Sequence, residues 1–519
     1  VLRAEAVEMV LPDGRRILGP AGLAVVPGTL TGLVGPSGSG KTTLLKILAG
    51  IVEPTAGSVS LDGDEAVRRT ADLGYVPQRE TVHRRLTVAE ALRYAARLRL
   101  DENADVEKRV RLVLRELDMV EQADTRVGDL SGGERRRAAC GMELVGHPRV
   151  LLLDEPTSGL DPVLERRLML MLRHLADQGR AVVVSTHATA SLDLCDQVAV
   201  MDRGSLSITR SADTAVDALR RAAGGQDEAP DVPAQLDPPR SGVARRGFWL
   251  EYAVLVARYR RTLVRDTRTL RILLLQAPII GLLLTLLFHG GAFDRPGGEP
   301  ANAVMVVFLL MTGAIWLGIT SSCREIVKER GIIEREFDVG LRSDAYVLAK
   351  ATVLFALTAV QTLLMVAVLL IVHRLDVDAG DILVLVGLLV LTTWVSVGLG
   401  LVVSTLARSV DQAAGVVPLV LIPQLVFAGA VIPLERMPGL ANGLAQAVYA
   451  RWAYAGLGST IDLDGRISST PGAVEALGFG RTFFRVEAGA SAAALLCFLI
   501  ILLMAAGFLL QWRAQEEEA

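Results

Sequence analysis

Up to about residue 208 the apolar positions come in short bursts. Runs such as "LTGLVG" (30–35) and "VLLLDEP" (150–156) read as buried strands, and the polar-punctuated stretches between them read as helices. This alternation predicts an α/β domain over 1–208. From 209 to 246 the pattern stops. The segment "AAGGQDEAPDVPAQLDPPRSG" is rich in Pro, Gly and Asp and predicts a flexible linker. Beyond it the apolar runs lengthen to about twenty residues, the length that crosses a hydrocarbon core. Six such runs occur, at Leu270–Phe288, Ala303–Thr320, Val347–Val372, Ile382–Leu406, Ala413–Ile432 and Ala490–Leu510. Helices of a soluble protein rarely run so far without a charge, and here they do so repeatedly. The prediction over 247–519 is therefore an all-α membrane domain of six transmembrane helices. No cleavable signal peptide is expected, because the first long apolar run begins near residue 270.

Composition supports this division. Hydrophobic residues make up 51% of the chain, high for a soluble protein, and the mean hydropathy is +0.41. The net charge of −3 argues against a dedicated nucleic-acid binder. Lysine occurs only at positions 41, 46, 108, 328 and 350, so arginine carries nearly all the positive charge. That bias, with abundant Ala and Gly, points to a GC-rich bacterial gene. Cys140, Cys195, Cys323 and Cys497 lie far apart with no metal-ligand spacing and read as small apolar residues.

Against this scarcity, the lysine in "GPSGSGKTT" (35–43) is conspicuous. The stretch fits G-x-x-x-x-G-K-[ST], follows the apolar run "LTGLV", and precedes "LLKILAG", a predicted helix. That strand–loop–helix context predicts a phosphate loop made of Gly35, Pro36, Ser37, Gly38, Ser39, Gly40, Lys41, Thr42 and Thr43. The glycines let backbone N–H groups face the phosphates, Lys41 adds a compact charge, and the Thr42 hydroxyl can ligate Mg²⁺. In "VLLLDEPTSGLD" (150–161) a buried strand delivers Asp154, expected to hold Mg²⁺ through its water shell. Glu155 is expected to orient and polarise the attacking water. The strand "VVVSTH" ends in His187, placed to hydrogen-bond a γ-phosphate, and Gln78 in "YVPQ" is a further Mg²⁺ or water contact. The cofactors expected are therefore ATP and Mg²⁺.

A second phosphate-site pattern stands at "LSGGERRRA" (130–138), where a small polar residue and two glycines lead into a helix-prone run. Ser131 would cap that helix. A cap alone leaves the paired glycines unexplained, and they would permit close approach of a ligand.

The set "GPSGSGKTT", "YVPQ", "LSGGERRR", "LLLDEPTSGLD" and "STH", in this order, resembles an ABC-transporter ATPase domain, and "LSGGE" is that family's signature. In the membrane half, "KERGIIEREFDVGLRSDAYVLAK" (328–350) and "FAGAVIPLERMP" (427–438) resemble subfamily G half-transporters of the White type. So does the order, ATPase first and membrane domain second. The resemblance implies an α/β P-loop ATPase domain, and two such domains packed head to tail. Ser131, Gly132, Gly133 and Glu134 of one chain would then face the γ-phosphate of ATP held by the other. One departure is clear. The family stacks adenine on an aromatic residue upstream of the phosphate loop, but no Phe, Tyr or Trp occurs before Tyr75. Val10, Leu11 or an arginine would have to serve, so weaker base selectivity is expected.

An ATPase domain needs cytoplasmic ATP, which places the 321–346 loop inside. That loop carries Arg324, Lys328, Arg330, Arg335 and Arg342, as the positive-inside rule expects. The 433–489 loop is then outside. Its five arginines oppose the rule, but long loops weigh little in it. Within 321–346, "CREIVKERGIIEREF" has the pattern of an amphipathic helix. By the resemblance it is the coupling element, resting on the ATPase domain near Gln78. Gln361, Trp394 and Gln424, within the spans, line a substrate path or join helices to one another. No chain of acidic residues threads the spans, which argues against proton coupling.

Together these readings predict a multi-pass protein of the cell membrane, working as a dimer that exports a lipid-like or amphipathic cargo by ATP hydrolysis. A homodimer is favoured over a heterodimer because no ATPase motif is degenerate. Partners are membrane lipids and the cargo, with no nucleic acid. The alternative is an ATP-driven mechanical or regulatory complex that moves no cargo.

Overall fold

The computed structural model describes residues 1–63, 72–78, 82–187, 189–209, 214, 247–288, 300–338, 340–372, 378–470, 473–474 and 483–516. The expected linker at 209–246, apart from Thr209 and residue 214, lies outside them. The chain divides into two units. One gathers Val1–Val254 with Gly331–Leu341; the other gathers Leu255–Arg330 with Arg342–Arg513.

The apolar bursts of the first unit are strands: β1 (Leu2–Val10), β2 (Arg16–Val25), β3 (Leu30–Val34), β4 (Ala56–Leu61), β5 (Leu73–Val76), β6 (Val150–Leu153), β7 (Ala181–Thr186), β8 (Gln197–Asp202) and β9 (Ser205–Thr209). They form a three-stranded antiparallel sheet, β2-β1-β4, and a six-stranded sheet, β5-β6-β7-β3-β8-β9. In the larger sheet every pairing is parallel except β8 with β9. Its central strands β3, β6 and β7 are buried at every position, because both faces are covered.

Alternate residues of those strands feed two different cores, as the two-residue period of a strand requires. Leu152 and Val183 join Leu44, Leu45 and Leu48 of α1 (Lys41–Leu48) and the inner face of the small sheet. Leu151, Leu153, Val182 and Val184 join α2 (Val88–Arg99), α3 (Val106–Glu116), α4 (Gly132–Leu144) and α5 (Pro162–Asp177). The helix starts are specified locally. Thr87 and Glu90 form a capping box on α2, Asp105 caps α3, and Asp161 caps α5 with Pro162 in its first turn.

The chain leaves this unit within α6 (Phe248–Arg265). In the second unit α7 (Thr267–Leu287), α8 (Pro300–Ser322), α10 (Ser343–Val372), α11 (Ala379–Leu406) and α16 (Ala488–Glu516) cover five of the expected spans. These five are long and apolar enough to cross a membrane. Helices α8 and α11 approach closely over small residues. A methyl group on Gly318 would lie 2.4 Å from the Thr393 carbonyl, and one on Gly400 would lie 2.0 Å from the Ser322 hydroxyl. The outlying helices α7 and α16 instead expose Ile272, Leu275, Leu286, Ile500, Met504 and Phe508.

The structure differs from the sequence reading in three places here. The run expected to span 413–432 is α12 (Val410–Val426), a shorter apolar helix that ends before Gly429. Gly429 takes a left-handed φ of 92° and packs under Phe483, so the chain turns there and Val431 and Ile432 lie outside the helix. The 433–489 stretch holds α13 (Gly439–Gln446), α14 (Tyr449–Thr460) and α15 (Leu463–Ser469). Finally, "CREIVKERGIIEREF" is not one helix. Turns run from Cys323 to Ile326, a single 3₁₀ turn covers Val327–Glu329, and only then does α9 (Arg330–Asp338) begin. The Ser404 hydroxyl accepts the amides of Ile326 and Val327 at 2.9 and 3.1 Å, which stabilises the break.

A charged group is buried beside this break. Lys350 Nζ lies 2.7 Å from Glu329 Oε2 and 3.7 Å from Glu325 Oε2, and 3.8 Å above the Tyr259 ring. The Tyr259 hydroxyl donates to Glu325 at 2.6 Å, and Tyr346 donates to Glu329 at 3.0 Å.

Candidate nucleotide site

The strand order decides where the predicted chemistry meets. β5, β6, β7 and β3 are parallel neighbours, so their C-terminal ends lie side by side along one edge of the sheet. Registers pair Val76 with Leu153, Leu153 with Val184, and Val34 with Thr186. The residues just beyond these ends are Gln78, Asp154 and Glu155, His187, and the 35–43 loop. The carboxyl edge of an open parallel sheet is where such folds bind ligands.

The loop is shaped for a close-lying ligand. Gly38 and Gly40 take left-handed φ values of 79° and 102°. A methyl group on Gly35 would fall 2.2 Å from the Met201 carbonyl, so only glycine fits there. Lys41 opens α1 and is buried, and its Nζ donates to the carbonyls of Gly35 and Pro36 at 2.9 and 3.1 Å. Burial pushes its pKa down, and Glu155 and Asp154 partly oppose that. The Ser39 hydroxyl is buried and makes no hydrogen bond. Pro36, Ser37 and Thr42 are exposed, and Thr43 is half-buried.

Glu155 is the centre of the cluster. Its Oε1 lies 2.6 Å from His187 Nε2 and 4.0 Å from Lys41 Nζ, and its Oε2 accepts from Gln78 Nε2 at 2.8 Å. Its own φ is 46°, a strained value for a non-glycine residue. The strain is held by Ser185. The Glu155 amide donates to the Ser185 hydroxyl at 2.8 Å, and that hydroxyl donates to Asp154 Oδ1 at 2.8 Å. Asp154 is 2% exposed. The Thr157 and Thr186 hydroxyls pair at 3.1 Å, joining the turn after β6 to the end of β7.

The structure thus brings Lys41, Gln78, Glu155 and His187 together and fixes Asp154 beside them. Sequence reasoning missed Ser185, although it stands two residues before His187 in the quoted "VVVSTH". It also missed Arg136, whose guanidinium donates to the Gln78 carbonyl.

The signature residues form a separate group. α4 is built on the core it shares with α2 and α3, not on the core under α1. Ser131 caps α4 in a full capping box: its amide and hydroxyl both donate to Glu134 Oε2 at 2.8 Å. Those bonds hold the Glu134 carboxyl below the usual carboxylate pKa. Glu134 is therefore engaged with the cap in this structure. Crowding within the chain does not demand the two glycines. Methyl groups on Gly132 and Gly133 would meet only Leu160 and Leu164, at 3.7 and 3.6 Å, which is ordinary contact.

The expected coupling element is α9, and its 331–338 part belongs to the first unit. It meets Glu143 of α4: Arg335 Nε donates to Glu143 Oε1 at 2.7 Å, and Arg99 of α2 donates to the same oxygen at 2.9 Å. The same helix α4 also reaches Gln78, through the Arg136 guanidinium on its carbonyl. In the second unit, Gln361 is fully buried. It donates to the Leu273 carbonyl at 2.5 Å and accepts from Ser321 at 3.2 Å, so it joins helices and lines no path. Trp394 donates to the Phe355 carbonyl and stacks on the Phe355 ring, and Gln424 accepts the Ala450 amide.

Both halves of the chain are similar to known proteins. Residues 18–158 match the family model described as ABC transporter, and residues 251–461 match the model described as ABC-2 type transporter. Over 506 residues the chain is 34% identical to the ABC transporter ATP-binding/permease protein Rv1747 of Mycobacterium tuberculosis, covering 89% of this chain and 58% of that protein. It is 26% identical to ABC transporter G family member 7 of Arabidopsis thaliana, covering 83% of this chain and 69% of the relative. Over 201 residues it is 33% identical to the lipopolysaccharide export system ATP-binding protein LptB of Escherichia coli, covering 37% of this chain and 83% of that protein. The chain therefore spans little more than half the length of the first of these relatives.

Proposed function

Because this chain belongs to the ABC transporters, a multi-pass membrane protein with its ATPase domain N-terminal to an ABC-2-type membrane domain, we propose that it is a G-type half-transporter. Two copies couple ATP hydrolysis to export of a lipid-like or amphipathic cargo across the cell membrane, with the ATPase domains in the cytoplasm. The observation that carries this reading is the cluster at the carboxyl edge of the sheet, where Lys41, Gln78 and His187 converge on the Glu155 carboxylate.

The residues present fit a nucleotide triphosphate and Mg²⁺. The buried Ser39 hydroxyl lacks a partner, Lys41 hydrogen-bonds two loop carbonyls and lies 4.0 Å from Glu155, and the loop glycines clear space that side chains would fill. Thr42, Gln78 and Asp154 would hold Mg²⁺, which supplies charge neutralisation on the phosphates. The loop amides and Lys41 bind the substrate's phosphate chain. Glu155 orients the attacking water, Gln78 and His187 fix the carboxylate, and His187 reaches the γ-phosphate. Ser185 keeps Asp154 and the Glu155 backbone in register, so it is a positioning residue.

The signature supports the head-to-tail dimer. Ser131, Gly132, Gly133 and the capping partner Glu134 present a helix N-terminus whose glycines are not required by crowding within their own chain. A γ-phosphate held by a second copy is the ligand that suits it. The export reading is tested by reconstitution. Purified protein in liposomes, screened with fractionated lipid extracts, should show ATPase stimulation by one class of amphiphile, and that class should move between leaflets with ATP. Stimulation with no movement of any cargo would instead support a mechanical or regulatory device.

A further inference from the structure

A two-residue turn closes the β8–β9 hairpin directly behind the phosphate loop. Asp202 pairs with Ser205, so Arg203 and Gly204 make the turn, and both take left-handed φ values, 45° and 85°. That is the twist a tight hairpin needs, although arginine is strained there. Gly204 has no room for a side chain. A methyl group on it would lie 2.9 Å from the Ile17 carbonyl and 3.2 Å from the Gly19 nitrogen. Its backbone is bonded on both sides. The Gly204 carbonyl accepts the Gly19 amide at 2.8 Å, and the Gly204 amide donates to the Ser39 carbonyl of the loop at 3.2 Å. Met201, three residues earlier, backs the same loop, since its carbonyl is what excludes a side chain from Gly35.

The bond to Ser39 decides which way the next amide points. In a trans peptide the carbonyl and the following N–H lie on opposite sides. With the Ser39 carbonyl drawn back to Gly204, the Gly40 N–H faces away from the turn. Gly40 caps α1, so this N–H stands with the free amides of that helix's first turn, and it donates to nothing among the described residues. Left-handed Gly38 and Gly40 flank Ser39, which is not left-handed. That alternation turns successive amides into an anion-binding concavity. The concavity is soft at one point. Glycine accepts either sign of φ, so the Ser39–Gly40 peptide can flip at little cost to Gly40. A flip would turn a carbonyl oxygen toward the phosphates. The Gly204 amide opposes it, because the flip breaks its hydrogen bond.

We propose that Gly204 is a positioning residue for nucleotide binding: its amide holds the Ser39 carbonyl back and so keeps the Gly40 amide turned toward the phosphate chain. The role rests on the nucleotide site described above and adds to it a residue from outside the phosphate loop.

The test uses the full-length protein in nanodiscs and reads the Kd of radiolabelled ADP beside KM and kcat for ATP. Two variants perturb the turn. Gly204→Ala pushes it off the loop. Replacing the Gly204 amide by an ester removes the N–H and adds no bulk, so it decides alone if Gly204→Ala does not fold. Gly179→Ala is the control, because Gly179 has a similar φ of 93° but nothing within 4 Å of an added methyl. Both turn variants should raise the Kd for ADP and the KM for ATP by about tenfold, on the scale of one hydrogen bond to a charged group. They should leave kcat at saturating ATP within about twofold, because the loop amides bind the phosphate chain in ground and transition states alike. The control should change neither. Unchanged Kd and KM in the ester variant would overturn the proposal. So would a fall in kcat at constant KM, which would put the effect on the attacking water, or an equal rise in the Gly179→Ala control, which would make backbone strain sufficient. Failure of the unmodified chain to bind ADP would remove the nucleotide site itself, and the role of Gly204 with it.

Discussion

Glu143 is the carboxylate on which α9 depends within its unit. Its Oε1 accepts from both Arg99 and Arg335, and the three side chains are 3%, 11% and 8% exposed. Glu143→Gln removes a charge shared by two buried guanidinium groups. Breaking a buried ion pair by deleting one partner costs about 3–5 kcal/mol, because the remaining charge is left uncompensated. Arg335→Gln leaves Glu143 with Arg99, so it loses one charge-assisted hydrogen bond, about 1.5–3 kcal/mol. Replacing all three by apolar residues of similar volume should be close to neutral. The readout is amide hydrogen exchange of residues 330–338 in the nucleotide-free protein, with the α1 amides as an internal reference. At about 1.4 kcal/mol per decade, Glu143→Gln should speed exchange there by roughly two to four orders of magnitude, Arg335→Gln by one to two, and the triple apolar variant by little. The Glu143→Gln protein should also keep basal ATPase activity and lose stimulation by cargo. Unchanged protection in Glu143→Gln, or equal effects of the two single substitutions, would refute the reasoning.

Two further outcomes follow from other buried groups. Lys350→Met takes the nearest buried ammonium from Glu329, whereas Glu325 keeps its pair with Lys328; it should destabilise the second unit by up to about 3–5 kcal/mol, seen as a lower midpoint of thermal unfolding in detergent, with Lys350→Arg milder, and an unchanged midpoint would mean the Lys350 pairs contribute nothing. Burial raises the thiols of Cys140 and Cys195 to about 12. Because a raised thiol pKa delays thiolate formation until the pH climbs through it, only about one molecule in a thousand is thiolate at pH 9. Both cysteines should therefore resist maleimide at pH 9 in the folded protein and react after denaturation, as mass mapping of peptides would show.

What could be read from the sequence depended on how local the causes were. The phosphate loop, the Asp154–Glu155 pair and the signature cap are specified by residues within a few positions of one another. The five long spans announce themselves by length alone. The break at 323–329 could not be foreseen, because it is stabilised by Ser404, a hydroxyl 78 residues further on. The partner that α9 meets could not be read either, because Glu143 lies 192 residues before Arg335 and inside a buried helix end. Helices α13 to α15 are short, with apolar and polar positions too mixed for a periodicity argument. α12 reads as a full span because "FAGAVIP" is as apolar as the helix before it, yet the helix stops at Val426 and the chain turns at the left-handed Gly429. Ser185 was hidden by being an ordinary strand residue, since its task is set by Asp154 and Glu155 on the neighbouring strand.

The central claim is that each nucleotide is shared between the loop of one chain and the signature of the other. It is tested most directly in a hybrid dimer of differently tagged Lys41→Ala and Ser131→Arg chains, isolated by both tags. The measurement is the amount of labelled ATP occluded per dimer. In the head-to-tail arrangement both lesions fall in one site and the other site is intact. The account therefore predicts a single occluded nucleotide in the hybrid and none in either parental homodimer. If the hybrid occludes none, each signature serves its own chain's nucleotide, and the shared-site account is wrong.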